Sequence, residues 1–388
     1  MTYWQKVRAL FLGVCIIMGF AHDFYNIGVY FQNKKRGTHT SAIPFFGAFW
    51  FAGAFLFFPQ TRPFFWIGFL LDVTVYSLPQ IIIDAIKARK HKSRFRIVVL
   101  SENSEGSVAV KDDAGNETGE SVTLPGEHGL SLYVEYGQYT MLVDAGQSDL
   151  FYENAKKMGI DLSKADVAVL SHAHYDHADG FDKFFEINKK AKLYVGKDAD
   201  ARYYSVHEDG LKYIGPRKGI FEEYAKRLQY MDEDFKLPLS WSTILIPHTT
   251  EGLSAIGERT KLFREEGDEM VPDDFRHEQT LILESKHGPV IVSSCSHAGV
   301  ANIIREVREY YCDEKKEIYA FIGGFHLHKS SDDDILTCAS ELKEAGIKHI
   351  YTGHCTGDHA FDILKEQLGD HVEKLHSGME IDFFKIDD

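Results

Sequence analysis

The sequence predicts an α/β layered domain carried behind an apolar, membrane-type segment. Two observations lead there. From about residue 96 to the C-terminus, short β-branched runs alternate with stretches of helical period. Ahead of them, residues 1–86 hold three long apolar runs. Charge divides the chain at the same place. The 388 residues carry a net −15, with a mean hydropathy of −0.24. Residues 1–96 hold twelve Lys and Arg against three Asp, a surplus of +9, so the remainder carries −24. A domain that acidic excludes gripping nucleic acid, which takes a basic surface. The five Cys (15, 295, 312, 338 and 355) are odd in number and too few for a disulfide framework, and they fit a reducing compartment.

The first apolar run spans Ala9 to Phe31, broken by His22 and Asp23. The second, Gly37 to Thr61, has no Asp, Glu, Lys or Arg and includes Phe45, Phe46, Phe49, Trp50 and Phe51. The third, Pro63 to Ile83, is broken by Asp72. Each approaches the roughly 20 helical residues that cross a ~30 Å hydrocarbon core. They read as two or three transmembrane helices, with a cleaved signal peptide or a buried helical hairpin as alternatives. The densest basic cluster, a collar at 87–96, puts the following chain on the cytoplasmic side and touches anionic headgroups. The Lys34-Lys35-Arg36 loop then lies inside and the Pro59–Pro63 turn outside. This reading makes the protein a multi-pass membrane protein with the lipid bilayer as a partner. Asp23 and Asp72 read as protonated or hydrogen-bonded locks between helices, or as marks of a helix sitting off-centre, rather than as an ion or proton path.

Residues 97–388 form the second domain. Ser101 to Thr123 reads as a polar loop. Leu130–Tyr136 and Tyr139–Val143 form a hairpin around Gly137-Gln138. Strand and helix then alternate: helix Leu150–Met158, strand Ala165–Leu170, helix Phe181–Asn188 and strand Lys192–Val195. Residues 197–280, charged, Tyr-rich and weakly periodic, read as an insertion able to cover a site. Alternation resumes with strands Leu281–Glu284 and Val290–Ser293, helix Val300–Tyr311, strand Ile318–Ile322, helix Asp333–Ala345, strand His349–Thr352, helix Ala360–Leu368 and a last strand near Met379–Phe384.

The chemistry lies in Ser171-His172-Ala173-His174-Tyr175-Asp176-His177, directly after a buried strand. His172 and His174, two apart in an extended stretch, point the same way and can hold one metal. Asp176 and His177, where the chain turns into a helix, can face a second. Imidazole and carboxylate donors suit zinc, and also manganese or iron. A solvated loop that merely holds three His is the competing reading. His297 and His354, both after strands, are the candidate completing ligands. His326, also after a strand, is a further ligand, a proton donor to the leaving group, or a partner of a ligand. Asp144 is placed to orient a ligand His, and His128 to line the pocket. Cys295 and Cys355 read as small buried residues rather than ligands.

The His172, His174, Asp176, His177 spacing resembles the His-x-His-x-Asp-His signature of the metallo-β-lactamase-fold superfamily. The resemblance implies a four-layer αββα sandwich with a two-metal site at one sheet edge, running from about Arg96 to the C-terminus. Glu127-His128-Gly129, Val143-Asp144-Ala145-Gly146, Cys295-Ser296-His297-Ala298-Gly299, Gly323-Gly324-Phe325-His326 and Gly353-His354-Cys355 are similar to the subgroup of ribofuranosylaminobenzene 5′-phosphate synthase-like proteins. The superfamily's acidic bridging ligand has no obvious counterpart, and Cys295 or His297 stands in its place.

The reading is therefore a membrane-tethered hydrolase using a metal-bound hydroxide, with Asp176 aiming it and His326 as proton donor. A metal pair about 3.5–4 Å apart activates the water. The substrate would be a phosphoester, or another ester or amide, in a small anionic or lipid-like molecule. The free N–H groups at Ser296–Gly299 would take a phosphate or carboxylate, with Arg202, Arg217 and Lys218 as possible clamps. The alternative is a tethered sensor or scaffold with a vestigial metal site.

Overall fold

A computed structural model of the protein describes residues 3–36, 46–56, 62–67, 94–111, 117–237, 243–248 and 261–383. The chain divides into two compact units, Met1–Lys92 and Ser93–Asp388. The boundary falls within the basic collar. Asp72 and most of the third apolar run lie outside the described residues.

In the first unit, the first apolar run is one 34-residue helix, Tyr3–Arg36. It takes in Lys34-Lys35-Arg36, expected as a loop. Gln, Lys and Arg are good helix formers, so nothing after Gly28 stops the helix before Gly37. Its Ala9–Asn26 portion is long and apolar enough to cross a membrane, the one such helix among the described residues. The second run, expected as a full span, supplies the 11-residue helix Phe46–Leu56 there. The ring of Phe51 meets Phe20 edge-on at 5.3 Å between centroids. Gly19 makes room for it, since a Cβ there would lie 2.6 Å from the ring.

The second unit is built on two seven-stranded sheets. The first runs, edge to edge, Leu228–Met231, Lys192–Gly196, Val167–Val169, Tyr139–Val143, Ser131–Tyr136, Phe95–Ser101 and Glu380–Asp382. The second runs Phe235–Lys236, Thr243–Pro247, Gln279–Ser285, Gly288–Val292, Ala320–Ile322, His349–Thr352 and Val372–Lys374. Period-two alternation assigns the faces. Ile97, Val99, Leu132, Val134, Met141, Val143, Val167 and Val169 face inward onto Leu281, Leu283, Val290, Val292, Ala320 and Ile322 of the other sheet. Val98, Leu100, Leu142 and Ala168 face outward onto Phe151, Phe181, Phe184 and Phe185 of helices Leu150–Lys157 and Phe181–Ile187. On the far side, Ile282, Ile291, Phe321 and Ile350 meet Ile303, Val307, Ile335, Leu342 and Leu364 of helices Val300–Tyr310, Asp332–Ala345 and Asp358–Leu368. Strands buried on both faces explain the near-continuous apolar runs. The result is the expected αββα order of layers.

Two stretches depart from expectation. Ser101–Thr123 is not all loop: Gly106–Lys111 pairs antiparallel with Glu117–Leu124. The second strand is almost wholly exposed, so it lacks the apolar alternation that marks a strand. Within 197–280, Tyr203–His207, Gly210–Tyr213, Leu262–Glu266 and Glu269–Pro272 form a separate four-stranded sheet. Leu228–Met231 and Thr243–Pro247, however, belong to the main sheets. The strands are only four and five residues long, and the first holds Gln229 and an exposed Tyr230, so neither stands out between polar neighbours.

Candidate metal centre

In each sheet, parallel strands bring their carboxyl ends to one rim. Tyr139–Val143, Val167–Val169 and Lys192–Gly196 are parallel neighbours in the first sheet. Gly288–Val292, Ala320–Ile322 and His349–Thr352 are parallel neighbours in the second. The residues that follow these strands include Asp144, Ser171–His172, Cys295–His297, His326 and His354. Loops just past such strand ends are where ligands sit in layered α/β folds. The backbone there is bent hard. Asp144, Ser296, His326 and His354 have φ of 55°, 52°, 51° and 49°, left-handed values that cost a non-glycine residue about 1–3 kcal/mol. Gly323 (φ 134°) crosses so close to the neighbouring loop that a Cβ would lie 1.9 Å from the Ser293 carbonyl oxygen.

His172 and His174 lie on an extended stretch with ring centroids 4.6 Å apart. His174 has φ −105° and ψ 150° and precedes the one-turn helix Tyr175–Ala178, which swings Asp176 and His177 to a neighbouring position. His297 comes in from the other sheet, its ring 4.8 Å from His172 and 5.0 Å from His174. The ligand atoms of His172, His174 and His297 lie within 4.8 Å of one another. His354, also from the other sheet, meets the second group. Its Nε2 is 3.1 Å from His177 Nε2 and 3.3 Å from Asp176 Oδ2, and His177 Nε2 is 3.6 Å from the same oxygen.

The hydrogen bonds behind these rings fix which nitrogens are bare. The Asp144 carboxylate accepts from the Ser171 N–H at 2.7 Å, from Ser171 Oγ at 2.7 Å and from His177 Nδ1 at 2.8 Å. The Ser171 hydroxyl proton thus goes to Asp144, and Ser171 Oγ accepts from His172 Nδ1 at 2.9 Å. Asn103 Oδ1 accepts from the Gly129 N–H and from His354 Nδ1. His172, His177 and His354 therefore all present a lone pair at Nε2 to the centre. Glu102 takes the His354 N–H and holds its backbone.

Three lone pairs and a carboxylate converging in a buried place need positive charge. In the cation-free protein a proton supplies part of it. Burial pushes His354 down, but its hydrogen bond to Asp176 more than offsets this and holds it up to about 9. Burial likewise pushes the Asp176 carboxyl up, and the His177 and His354 imidazoles outweigh that to leave it far below the usual range. Burial keeps His172 well below its ordinary value, and burial with His277 brings His174 down to about 3. Both stay neutral, the form that binds metal. The Nε2 atoms of His172 and His174 are buried with no hydrogen-bond partner. The donor spacing fits a metal. Nitrogen and oxygen bonds of about 2.0–2.2 Å at tetrahedral angles separate donors by roughly 3.3–3.6 Å. The two contacts to Asp176 Oδ2 are 3.3 and 3.6 Å, and the two imidazole nitrogens lie slightly closer, at 3.1 Å.

His326 lies beside this centre, its ring 4.3 Å from His297 and its Nδ1 buried without a partner. His128 stands at the mouth, 3.3 Å from Asp176 Oδ2. A cavity of about 350 Å³ opens there, lined by His128, His354, Asn103, Ser104, His328 and Lys374.

The expected anion site at Ser296–Gly299 is closed. Glu278, buried, takes the His297 and Ala298 N–H groups at 2.8 and 2.7 Å. The expected clamps are engaged elsewhere: Arg217 with Asp182 and Glu223, Arg202 with Glu265, and Lys218 over the Tyr213 ring. Besides Glu278, sequence reasoning missed Asn103, Glu102, Asp273 and His277. His277 accepts from the Ala173 N–H and reaches Asp273 Oδ2 at 3.1 Å, bracing the His172–His174 stretch. The signal available was a His and two acids, Asp273, His277 and Glu278, crowded just ahead of an apolar strand.

Residues 124–296 match the family described as the metallo-beta-lactamase superfamily. The 7,8-dihydropterin-6-methyl-4-(beta-D-ribofuranosyl)-aminobenzene-5′-phosphate synthase of Methanocaldococcus jannaschii is 28% identical over 267 residues, which cover 66% of this chain and 90% of that protein. The uncharacterized protein MJ0448 of the same organism is 27% identical over 243 residues, covering 62% and 88%. A solved structure described as Tm1679, a metal-dependent hydrolase of the beta-lactamase superfamily, is 28% identical with a TM-score of 0.59, covering 74% of this chain and 98% of its own.

Proposed function

We propose that this chain, which carries a metallo-β-lactamase superfamily domain, is a metal-dependent hydrolase attached to a membrane by its N-terminal segment. One cation is held by His172, His174 and His297, and a second by Asp176, His177 and His354. Zinc fits the nitrogen-rich donor set best, with manganese or iron as lesser candidates. When bound, the cation pair supplies Lewis acidity, activating water and polarising the oxygen under attack.

The chain's own residues do the rest. Asp144 fixes the His177 ring directly and the His172 ring through Ser171, one from each group. Asp176, with one oxygen shared between His354 and His128, accepts a hydrogen bond from the attacking water and aims it. His326, whose Nδ1 is buried and free of a hydrogen bond, gives a proton to the leaving group. The substrate enters by the cavity between His128 and Lys374. It is a phosphoester, or another ester or amide, in a small anionic or lipid-like molecule. The phosphorylated ribofuranosyl group in the M. jannaschii relative's name agrees with an anionic substrate. The apolar helix Ala9–Asn26 supports attachment. The Lys and Arg of the collar support a catalytic domain on the cytoplasmic side.

The observation that carries the reading is the convergence of the His172, His177 and His354 lone pairs with the Asp176 carboxylate in a buried place. The test is metal analysis of the purified full chain, with a panel of phosphodiesters, phosphomonoesters and lactones assayed with and without chelator. We expect bound metal and chelator-sensitive turnover. No bound metal and no metal-dependent turnover would overturn the proposal in favour of a scaffold.

A further inference from the structure

Cys295 is a buried residue that the mechanism above does not use, and its sulfur sits between the two donor groups. The Sγ atom lies 3.3 Å from His177 Nε2. It also lies within 4.8 Å of the ligand atoms of His172, of His297 and His326, and of His354 and Cys355. It thus reaches members of both groups: His172 and His297 of one, His177 and His354 of the other. His177 Nδ1 bonds to Asp144, so the Nε2 facing the sulfur carries a lone pair. The sulfur, which also bonds the Cys355 side chain, is within hydrogen-bond reach of that lone pair. Asp176, His177 and His354 make three donors, and a tetrahedral site takes a fourth. A sulfur and a nitrogen bonded to one zinc-sized ion at about 2.3 and 2.0–2.1 Å would be about 3.6 Å apart. The 3.3 Å observed is close to that before any ion has drawn the donors into place.

We propose that Cys295, as the thiolate, is a direct ligand of the cation held by Asp176, His177 and His354. This rests on the metal centre proposed above. On binding, the S–H bond breaks, a sulfur–metal bond forms, and the proton leaves to solvent. No electron is transferred. A thiolate among imidazoles favours zinc, cobalt or iron over manganese and magnesium, which narrows the choice of cation.

Cobalt(II) is the probe. It is titrated into the full chain, purified in detergent and stripped of metal. Cobalt bound by a thiolate gives a near-ultraviolet sulfur-to-cobalt charge-transfer band, which imidazole and carboxylate ligands do not. We expect the band in the wild-type protein and in Cys355→Ser, and its loss in Cys295→Ser. Since losing even an indirect support of a ligand costs about 10–100-fold in affinity, Cys295→Ser weakens cobalt binding at least about tenfold. X-ray absorption on the cobalt-loaded wild type needs no variant. A sulfur neighbour at about 2.3 Å supports the assignment. Cobalt bound with no sulfur neighbour, or a band that survives Cys295→Ser, overturns it while leaving the metal centre standing. Failure to bind cobalt at all overturns the metal centre as well.

Discussion

Asp144→Asn is the sharpest test of how the centre is held. Asp144 is fully buried, and its carboxylate takes three hydrogen bonds of 2.7–2.8 Å. Asn has the same shape and tolerates the left-handed backbone at φ 55° better than most residues, so the change adds no backbone strain. It does replace one acceptor oxygen with an NH₂ group, which faces donors that already need acceptors. If the NH₂ faces His177, that ring must turn its proton to Nε2 and give up the lone pair aimed at the centre. If it takes the other position, it meets the Ser171 N–H instead, and two buried donors face each other without an acceptor. The first orientation takes a ligand from one donor group, and the second loosens the Ser171–His172 backbone that positions the other. Removing such a support costs about 10–100-fold in metal affinity, or about 1.4–2.8 kcal/mol at 1.4 kcal/mol per tenfold. Calorimetric titration of the stripped protein with zinc measures it, with circular dichroism as the check on folding. We expect one cation to weaken by that factor in a folded protein. Zinc binding at wild-type affinity for both cations would refute the tautomer argument.

The other predictions follow from single contacts. His174→Ala should lose metal and turnover while the domain stays folded, because the ring sits at the rim and not in a core. Metal content, turnover and thermal melting check this, and full metal content would remove His174 from the site. Glu278→Gln should destabilise the domain by about 1–3 kcal/mol, since one amide oxygen replaces two oxygens that accept the His297 and Ala298 N–H groups. Urea unfolding measures it, and an unchanged midpoint would mean that water satisfies the second N–H. A chain starting at Ser93 should fold and bind zinc without detergent, because that unit has its own sheets and cores. Aggregation of that fragment on removal of detergent counts against the independence of the two units.

The alternation of apolar residues is local, and so are the helix periods, so most strands and helices of residues 97–388 were legible. The Leu130–Tyr136 and Tyr139–Val143 hairpin, paired Leu132 to Val143 through Tyr136 to Tyr139, is an example. The edge strand Glu117–Leu124 was not, because an exposed strand carries no apolar signature. Thr243–Pro247 was not either. It is a strand by virtue of pairing with Gln279–Ser285, more than thirty residues away, and its own five residues say little.

The same division holds at the site. By itself the sequence determined the His172–His177 segment, since donors two apart and then one apart, at the junction of strand and helix, are set by local geometry. It also pointed to His297, His326 and His354 as residues that follow strands. Only the tertiary structure decided which of them meet. Face-to-face packing of the two sheets carries His354 to His177 and His297 to His172 and His174 across more than a hundred residues of chain. Stacking also seats Glu278 on the N–H groups meant for a substrate anion, and sets the Cys295 sulfur between the two groups. Spacing along a chain fixes direction within one element. Distance between elements depends on how the sheets pack, which no local pattern encodes.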